Sequence, residues 1–416
     1  MFNSLSKFPR RKNKKKGNLR QLFRSTDFES LMYPCFTFSR ILGLFPYKFN
    51  ASTIRICRPS FVLSVVIICV LIYTGIYMVY QLDVYKKGVF KNNLVRSLDF
   101  HSFYIVSAFL TVTTLMLNRP RVRFLQTLLE HSLKLPPTTY QSLSKFIHIK
   151  DIFGFFYLVS EAILIASLNI VPYWRLMIGM YCELVRFLTG MMFINCVCLL
   201  KACFKKINND LSHLREFAAN EPYILSDNYY KQRIPFLLLE ITALKKHHQN
   251  ISNMVKMIKI IFSLPIICTL LSCFLSIVFN LYYFMTKIKK SIHVSDKEKK
   301  ASHYYYVVTT LINFIEIVAI VCICESAKNQ AMEIKSTVHQ VFNRTFNKEL
   351  KYELRLFSLQ LMHRKNVFSV KGFTLDTSLL TSIIGNITIY LLLLIQFLFM
   401  AHACDKGSEN TFVDTI

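Results

Sequence analysis

Apolar residues in this chain come in blocks. They follow neither the three-and-four spacing of a surface helix nor the alternation of a strand. Seven blocks reach or approach membrane-crossing length, at 61–81, 100–117, 152–171, 176–200, 259–285, 304–324 and 379–401. A helix rises 1.5 Å per residue, so about 20 apolar residues cross a hydrocarbon core of about 30 Å. The third, fourth and sixth blocks contain charges, each costing about 2.5–3.5 kcal/mol at a helix centre, a cost that shielding by neighbouring helices reduces. The pattern predicts an all-α integral membrane protein with seven transmembrane helices.

The segments between blocks carry helical patterning of their own. Lys201 to Glu216 continues directly from the fourth block, and Phe236 to Lys256 reads as an amphipathic helix feeding the fifth. Glu325 to Leu361 contains no Gly or Pro, and Ala331, Ile334, Val338, Val341 and Phe342 recur there at helical steps. Helices of this length project below a bilayer and pack as a platform. Gly372 interrupts the pattern as a helix stop, and Asp376 and Thr377 supply a cap for the last block.

Charge sets the orientation. The 416 residues carry a net charge of +27, which by itself is compatible with nucleic-acid binding. Its distribution argues otherwise. Segments 1–60, 118–151, 201–257 and 325–378 hold 37 Lys and Arg, against 12 in the alternate segments. Basic residues mark cytoplasmic loops, so the first terminus is expected inside and the last outside, with no nucleic-acid partner. The basic run Arg10–Lys16 has no apolar core or cleavage site behind it and suits contact with anionic lipid. The expected organisation is a basic cytoplasmic segment 1–60, a six-helix bundle 61–324 with inner loop 201–257, cytosolic anchor helices 325–371, a last transmembrane helix 372–401 and an extracellular tail 402–416.

Two polar stripes carry the candidate chemistry. On the last block Ser382, Asn386, Leu393, Phe397 and Cys404 share one face, with Gln396 at its edge. Hydrocarbon cannot satisfy an amide, so this face suits either a pore, closed by Leu393 or Phe397, or a polar contact between helices. On the sixth block Tyr306, Thr310, Asn313 and Glu316 follow at steps of four, three and three. Glu161 lies mid-block in the third segment, and Glu183 and Arg186 stand one turn apart in the fourth; such groups face a partner or a ligand. Aromatic residues crowd the outer ends, where an interface belt or a pocket wall accounts for them.

Most of the twelve Cys fall within or beside the blocks and read as small buried hydrophobes, and no metal or cofactor is expected. His247 and His248 read as exposed polar residues. No phosphate loop, paired-His helix or nucleophile elbow is present, so no enzyme is expected. The sequons at Asn50, Asn250, Asn343 and Asn386 fall in the cytosol or the membrane and should stay unglycosylated.

The stretch Gly372-Phe373-Thr374-Leu375-Asp376, followed by a block closing on Tyr390, five aliphatic residues and Gln396-Phe397, resembles the C-terminal signature of insect gustatory receptors. That signature usually has Thr before the Tyr, whereas this chain has Ile389, with Thr388 one place earlier. The resemblance implies a ligand-gated, non-selective cation channel in the plasma membrane of chemosensory neurons. It also implies a homo- or hetero-tetramer whose last helix lines the pore, with Gln396 and Phe397 as gate candidates. A small tastant, bitter or plant-derived more than sugar, would bind in the outer half of the bundle. Stripe and depth nominate Glu161, Glu183, Tyr306, Thr310 and Asn313 for that pocket. The rivals are a seven-helix G-protein-coupled receptor, which needs an outside first terminus and motifs missing here, and a transporter, whose inverted repeats are not seen.

Overall fold

A computed structural model of the chain describes residues 25–45, 47–50, 53–84, 94–167, 172–224, 227–289 and 296–413. In chain order the elements are α1 (Phe28–Ile41), the hairpin β1 (Tyr47–Asn50) and β2 (Thr53–Ile56), α2 (Arg58–Val84), α3 (Leu94–Met116), α4 (Asn118–Ser132), α5 (Pro137–Ser167), α6 (Tyr173–Ile224), α7 (Asp227–Lys289), α8 (Asp296–Arg344), α9 (Lys348–His363), the hairpin β3 (Ser369–Val370) and β4 (Phe373–Thr374), and α10 (Thr377–Val413). The architecture is helical, with two short antiparallel hairpins as connectors.

Six helices among the described residues are long and apolar enough to cross a membrane: α2, α3, α6, α7, α8 and α10. The expected third crossing, 152–171, is not one of these six. Its first part lies in α5, and residues 168–171 fall outside the described ones. Helices α6, α7 and α8 run 52, 63 and 49 residues. At 1.5 Å per residue they measure about 78, 95 and 74 Å, more than twice a hydrocarbon core. Each therefore combines a crossing with a long extension, as the unbroken patterning of 201–216 and 236–256 predicts.

The main core sits in those extensions. Phe204, Ile207 and Leu211 of α6 pack with Ile251, Met254 and Ile258 of α7 and with Ile334, Val338 and Val341 of α8. Leu354 and Phe357 of α9, Phe28 and Leu31 of α1 and Phe124 and Leu128 of α4 complete the cluster. Outside lipid, apolar burial drives such packing, whereas lipid tails offer helices no comparable gain. Helix α6 is the axis: 89% of its apolar window is buried, against none for α10.

Three departures from the sequence reading have local causes. The expected continuous helix 325–361 breaks after Arg344. Asn347 Oδ1 accepts from the N–H groups of Glu349 (2.9 Å) and Leu350 (3.1 Å) and starts α9 as a new helix. Gly372 does not stop a helix; it sits with Lys371 in the two-residue turn of the β3–β4 hairpin. Both have positive φ, 38° and 96°, the backbone that a primed hairpin turn requires. The Lys371 N–H donates to Ser263 Oγ at 3.0 Å and pins the hairpin to α7. Segments 1–60 and 118–151 contain α1, α4 and the first half of α5, helices not anticipated from pattern. Asp27 and Ser30 close a capping box at the head of α1.

Gly154 is where α5 crosses α6. A Cβ there would lie 2.1 Å from Phe187 Cζ, so the ring occupies the space that a side chain would take. Gly154→Ala is expected to destabilise the pair by about 1–3 kcal/mol through overpacking. Thermal unfolding of the purified variant in detergent checks this.

Candidate functional site

The charged residues of α6 and α8 converge inside the helix bundle. Arg186 sits one turn after Glu183 on α6 and donates to its Oε2 from Nε (2.8 Å) and Nη2 (2.5 Å). Its Nη1 reaches Glu316 Oε2 of α8 at 2.6 Å and Cys273 Sγ of α7 at 2.8 Å. Both expected readings of the Glu183–Arg186 pair meet here: the helix-neighbour pair forms, and its guanidinium also bridges to another helix. Burial makes this geometry necessary, since a guanidinium taken out of water needs matched carboxylates and filled donors. Gly190 makes room for it, because a Cβ there would stand 2.8 Å from Glu316 Oε1.

Further along α8, Asn313 Nδ2 donates to Ser276 Oγ (3.2 Å) and to the Thr309 carbonyl (2.8 Å). Asn280 Nδ2 shares the same Ser276 oxygen at 3.1 Å. Three buried oxygens on this stripe, Thr310 Oγ1, Asn313 Oδ1 and Glu316 Oε1, have no hydrogen-bond partner. On α5, Glu161 lies within electrostatic reach of Tyr157, Glu183 and Arg186. Tyr306 marks the other end of the stripe. Its ring centroid is 5.9 Å from that of Tyr283, whose hydroxyl donates to Asp99 Oδ2 of α3 at 3.3 Å.

The structure thus brings Glu161 and Glu183 to the Arg186 centre, sets Asn313 one turn along α8 from Glu316 with its amide on Ser276, and places Thr310 and then Tyr306 further along the same stripe. Sequence reasoning missed Ser276 and Asp99, took Cys273 only as a small buried hydrophobe, and held Tyr283 only among the aromatics of the outer ends. Only the three-residue step from Asn313 signalled Glu316, which proves to be a second carboxylate of the Arg186 cluster.

On α10 all of the expected pore residues, Ser382, Asn386, Leu393, Gln396 and Phe397, are exposed on this chain. The helix packs by an adjacent face: Leu380, Ile383 and Ile387 meet Cys273, Ile277 and Ile317, and Tyr390 meets Phe274 edge-on at 5.8 Å. At about 100° per residue the stripe is centred about 90° round the helix from that contact, so it runs beside it, with Gln396 furthest from it. The Ser382 and Thr388 hydroxyls donate to carbonyls one turn back at 3.0 and 3.1 Å, so they are satisfied in any surroundings. Side chains from residue 401 on, Cys404 included, lie outside the described ones.

His247 and His248 are buried, not exposed, at 8% and 0%. The extension of α7 beyond its crossing turns both into the helical platform, where His248 sits between the rings of Phe204 and Phe357. Gln360 Nε2 stands 3.1 Å from His248 Nδ1 and donates to the Lys245 carbonyl at 3.0 Å, and the Asn366 amide faces Nε2 at 3.2 Å. Burial, then Arg364, lowers the His248 pKa from 6.5 to about 4; burial, then Lys134 and His131, lowers that of His247 to about 4.

The unfolded chain protonates these rings first, so their contribution is complete above pH 6.5 and is lost as pH falls towards 4. At pH 5 the loss for His248 is on the order of 2 kcal/mol. The purified protein is expected to melt at lower temperature at pH 5 than at pH 7, with a shallower dependence in a His247→Asn, His248→Asn variant.

Comparison with known proteins follows the same lines. A family described as 7tm Chemosensory receptor matches residues 32–400. A Drosophila melanogaster protein with the name gustatory receptor 28a is 32% identical over 170 residues, 39% of this chain and 37% of that protein. Gustatory receptor 28b of the same organism is 33% identical over 128 residues, 30% and 27% of the two chains. The matched region therefore spans 37% or less of these relatives' length.

Among solved structures, the olfactory receptor OR5 from Machilis hrabei in complex with eugenol superposes with a TM-score of 0.63 at 12% identity, covering 89% of this chain and 98% of that one. The same receptor without the eugenol designation gives 0.62 over 88% and 97%. At that identity the likeness speaks for the fold. The chain belongs to the 7tm chemosensory receptor family, and insect gustatory receptors are among its relatives.

Proposed function

We propose that this chain is a gustatory receptor subunit of a tetrameric, ligand-gated, non-selective cation channel in the plasma membrane of chemosensory neurons. The observation that carries the reading is the placement of α10. It is a membrane-length helix, packed by one face, whose amide-bearing stripe runs beside that face and is left exposed on this chain. Four copies around an axis would bring Ser382, Asn386, Leu393, Gln396 and Phe397 together along a pore, with Leu393 and Phe397 as an apolar constriction that opens by wetting. In this reading α5 supplies the third of seven crossings, the first terminus is cytoplasmic, segment 402–416 is extracellular, and α9 with the extensions of α6 to α8 holds the subunits together.

A small tastant, bitter or plant-derived more than sugar, enters the outer half of the bundle and meets Tyr306, Thr310, Asn313, Glu161 and Glu183. Eugenol, the small molecule in the olfactory receptor of like fold, supports that size class. The ligand opens the pore by binding the open arrangement of α10 more tightly than the closed one. Whole-cell recording from cells expressing this chain tests the reading. A tastant-evoked current that survives replacement of sodium by potassium or caesium supports it. Signalling without current, from protein that reaches the surface, overturns it.

The topology has its own test. Glycosidase treatment is expected to leave the electrophoretic mobility unchanged, because Asn50, Asn250, Asn343 and Asn386 never face the lumen in this orientation. A glycan on Asn50 would reverse it.

A further inference from the structure

The carboxylates around Arg186 outnumber the guanidinium that meets them. Glu161, Glu183 and Glu316 share one cation, and Arg186 is already held by Glu183, Glu316 and Cys273. Buried negative charge that lacks a counter-ion is expensive in a low-dielectric interior, so such a centre favours a further positive group. The unpartnered atoms point the same way. Asn313 and Glu316 are 2% and 5% exposed, and their free oxygens, Asn313 Oδ1 and ionised Glu316 Oε1, can only accept. Thr310 Oγ1 adds a third open position on the same stripe.

From these we infer that the buried polar centre shared by α5, α6 and α8 takes a protonated organic amine, its ammonium placed against Glu316 and Glu161 and a second donor reaching towards Asn313 and Thr310. The inference rests on the proposed ligand pocket and names its ligand class.

Length separates an amine from a bare metal ion. Residues 310 and 316 stand about 9 Å apart along a helix. A single ion with bonds of about 2.3–2.6 Å reaches oxygens no more than about 5 Å apart, so it could serve Asn313 and Glu316 but would leave Thr310 unserved. A small ammonium compound with a distal hydroxyl spans the stripe. The Tyr157 ring beside Glu161 adds an aromatic face that suits a cation.

The test uses the full chain in lipid nanodiscs and three probes of one shape: tyramine, its neutral alcohol analogue tyrosol, and the anion 4-hydroxyphenylacetate. Thermal unfolding is followed as each probe is titrated, in potassium buffer and again in sodium buffer. Tyramine is expected to stabilise the protein with an affinity at least about tenfold above that of tyrosol, and the anion to have no effect. That preference should fall to less than about threefold in Glu316→Gln and in Glu161→Gln. Arg186 hydrogen-bonds to Glu183, Glu316 and Cys273, not to Glu161, so the second variant keeps the test valid if the first fails to fold.

Equal affinities for tyramine and tyrosol, no shift from any probe, preference retained in Glu161→Gln, or a shift from sodium alone would each overturn the inference. Recording from cells separates it from the channel reading. Amine binding with no current leaves the inference standing and counts against the channel. A current evoked by tyrosol but not by tyramine does the reverse.

Discussion

Arg186→Leu is expected to yield no folded protein in detergent extract, the largest effect of any single change in the bundle. The guanidinium is buried at 8% exposure and bridges Glu183 on its own helix to Glu316 on α8. Removing it leaves two carboxylates facing each other without a cation, and breaking a buried pair in this way costs about 3–5 kcal/mol. Total stabilities of about 5–15 kcal/mol leave little margin for that loss. Arg186→Lys keeps the charge but loses the planar fork that serves Oε2 of both glutamates, so a reduced yield is expected, not its absence. A triple variant with Leu at 183, 186 and 316 should recover folded protein, because apolar residues of similar volume often replace a buried ion cluster without loss. Size-exclusion profiles of a fluorescent fusion distinguish these outcomes. Arg186→Leu eluting as the parent does would show that the cluster is not a structural tie.

The same cluster shows how far the sequence could be read. Block length alone exposes α2, α3, α6, α7, α8 and α10, since about 20 apolar residues in a row admit few other readings. The extensions of α6 and α7 were legible because no Gly or Pro interrupts 201–216 or 236–256. The α8 stripe was legible because steps of three and four survive in any helix. What a stripe meets is a different matter. Glu316 and Arg186 are 130 residues apart, and Asp99 and Tyr283 are 184 apart; no local rule pairs them.

His247 and His248 went wrong for a related reason. Two adjacent histidines beyond a membrane look solvated, yet the α7 extension packs on α6 and α9 and turns both inward. Asn347 was an overlooked stop: its side chain offers the backbone a cap that competes with helix continuation. Helices α1 and α4 bury apolar faces only because the platform exists to receive them, and neither carries a block long enough to stand out.

Phe397→Ala is expected to raise the ligand-free current of cells expressing the channel, and Gln396→Ala to change its relative permeability to sodium and potassium, both with the rank order of ligands unchanged. The expectation combines the proposed axis with a structural fact: Phe397 is 59% and Leu393 43% exposed on this chain. Truncating Phe397 therefore removes little from the fold of the subunit, and surface expression should match the parent. If four such rings meet in the closed state, each gains part of the roughly 1.5–3 kcal/mol that burying a Phe provides. Losing even about 1 kcal/mol of that difference shifts a two-state equilibrium about fivefold towards the open form. Gln396 stands at the edge of the stripe, where its amide can replace part of an ion's hydration, so its loss acts on selectivity. Ligand order is untouched because Glu161 and Glu183 lie by Arg186 and Asn313 is held on Ser276, while the gate residues are exposed on the surface of α10. Unchanged basal current and permeability in both variants, at normal surface expression, would remove α10 from the ion path.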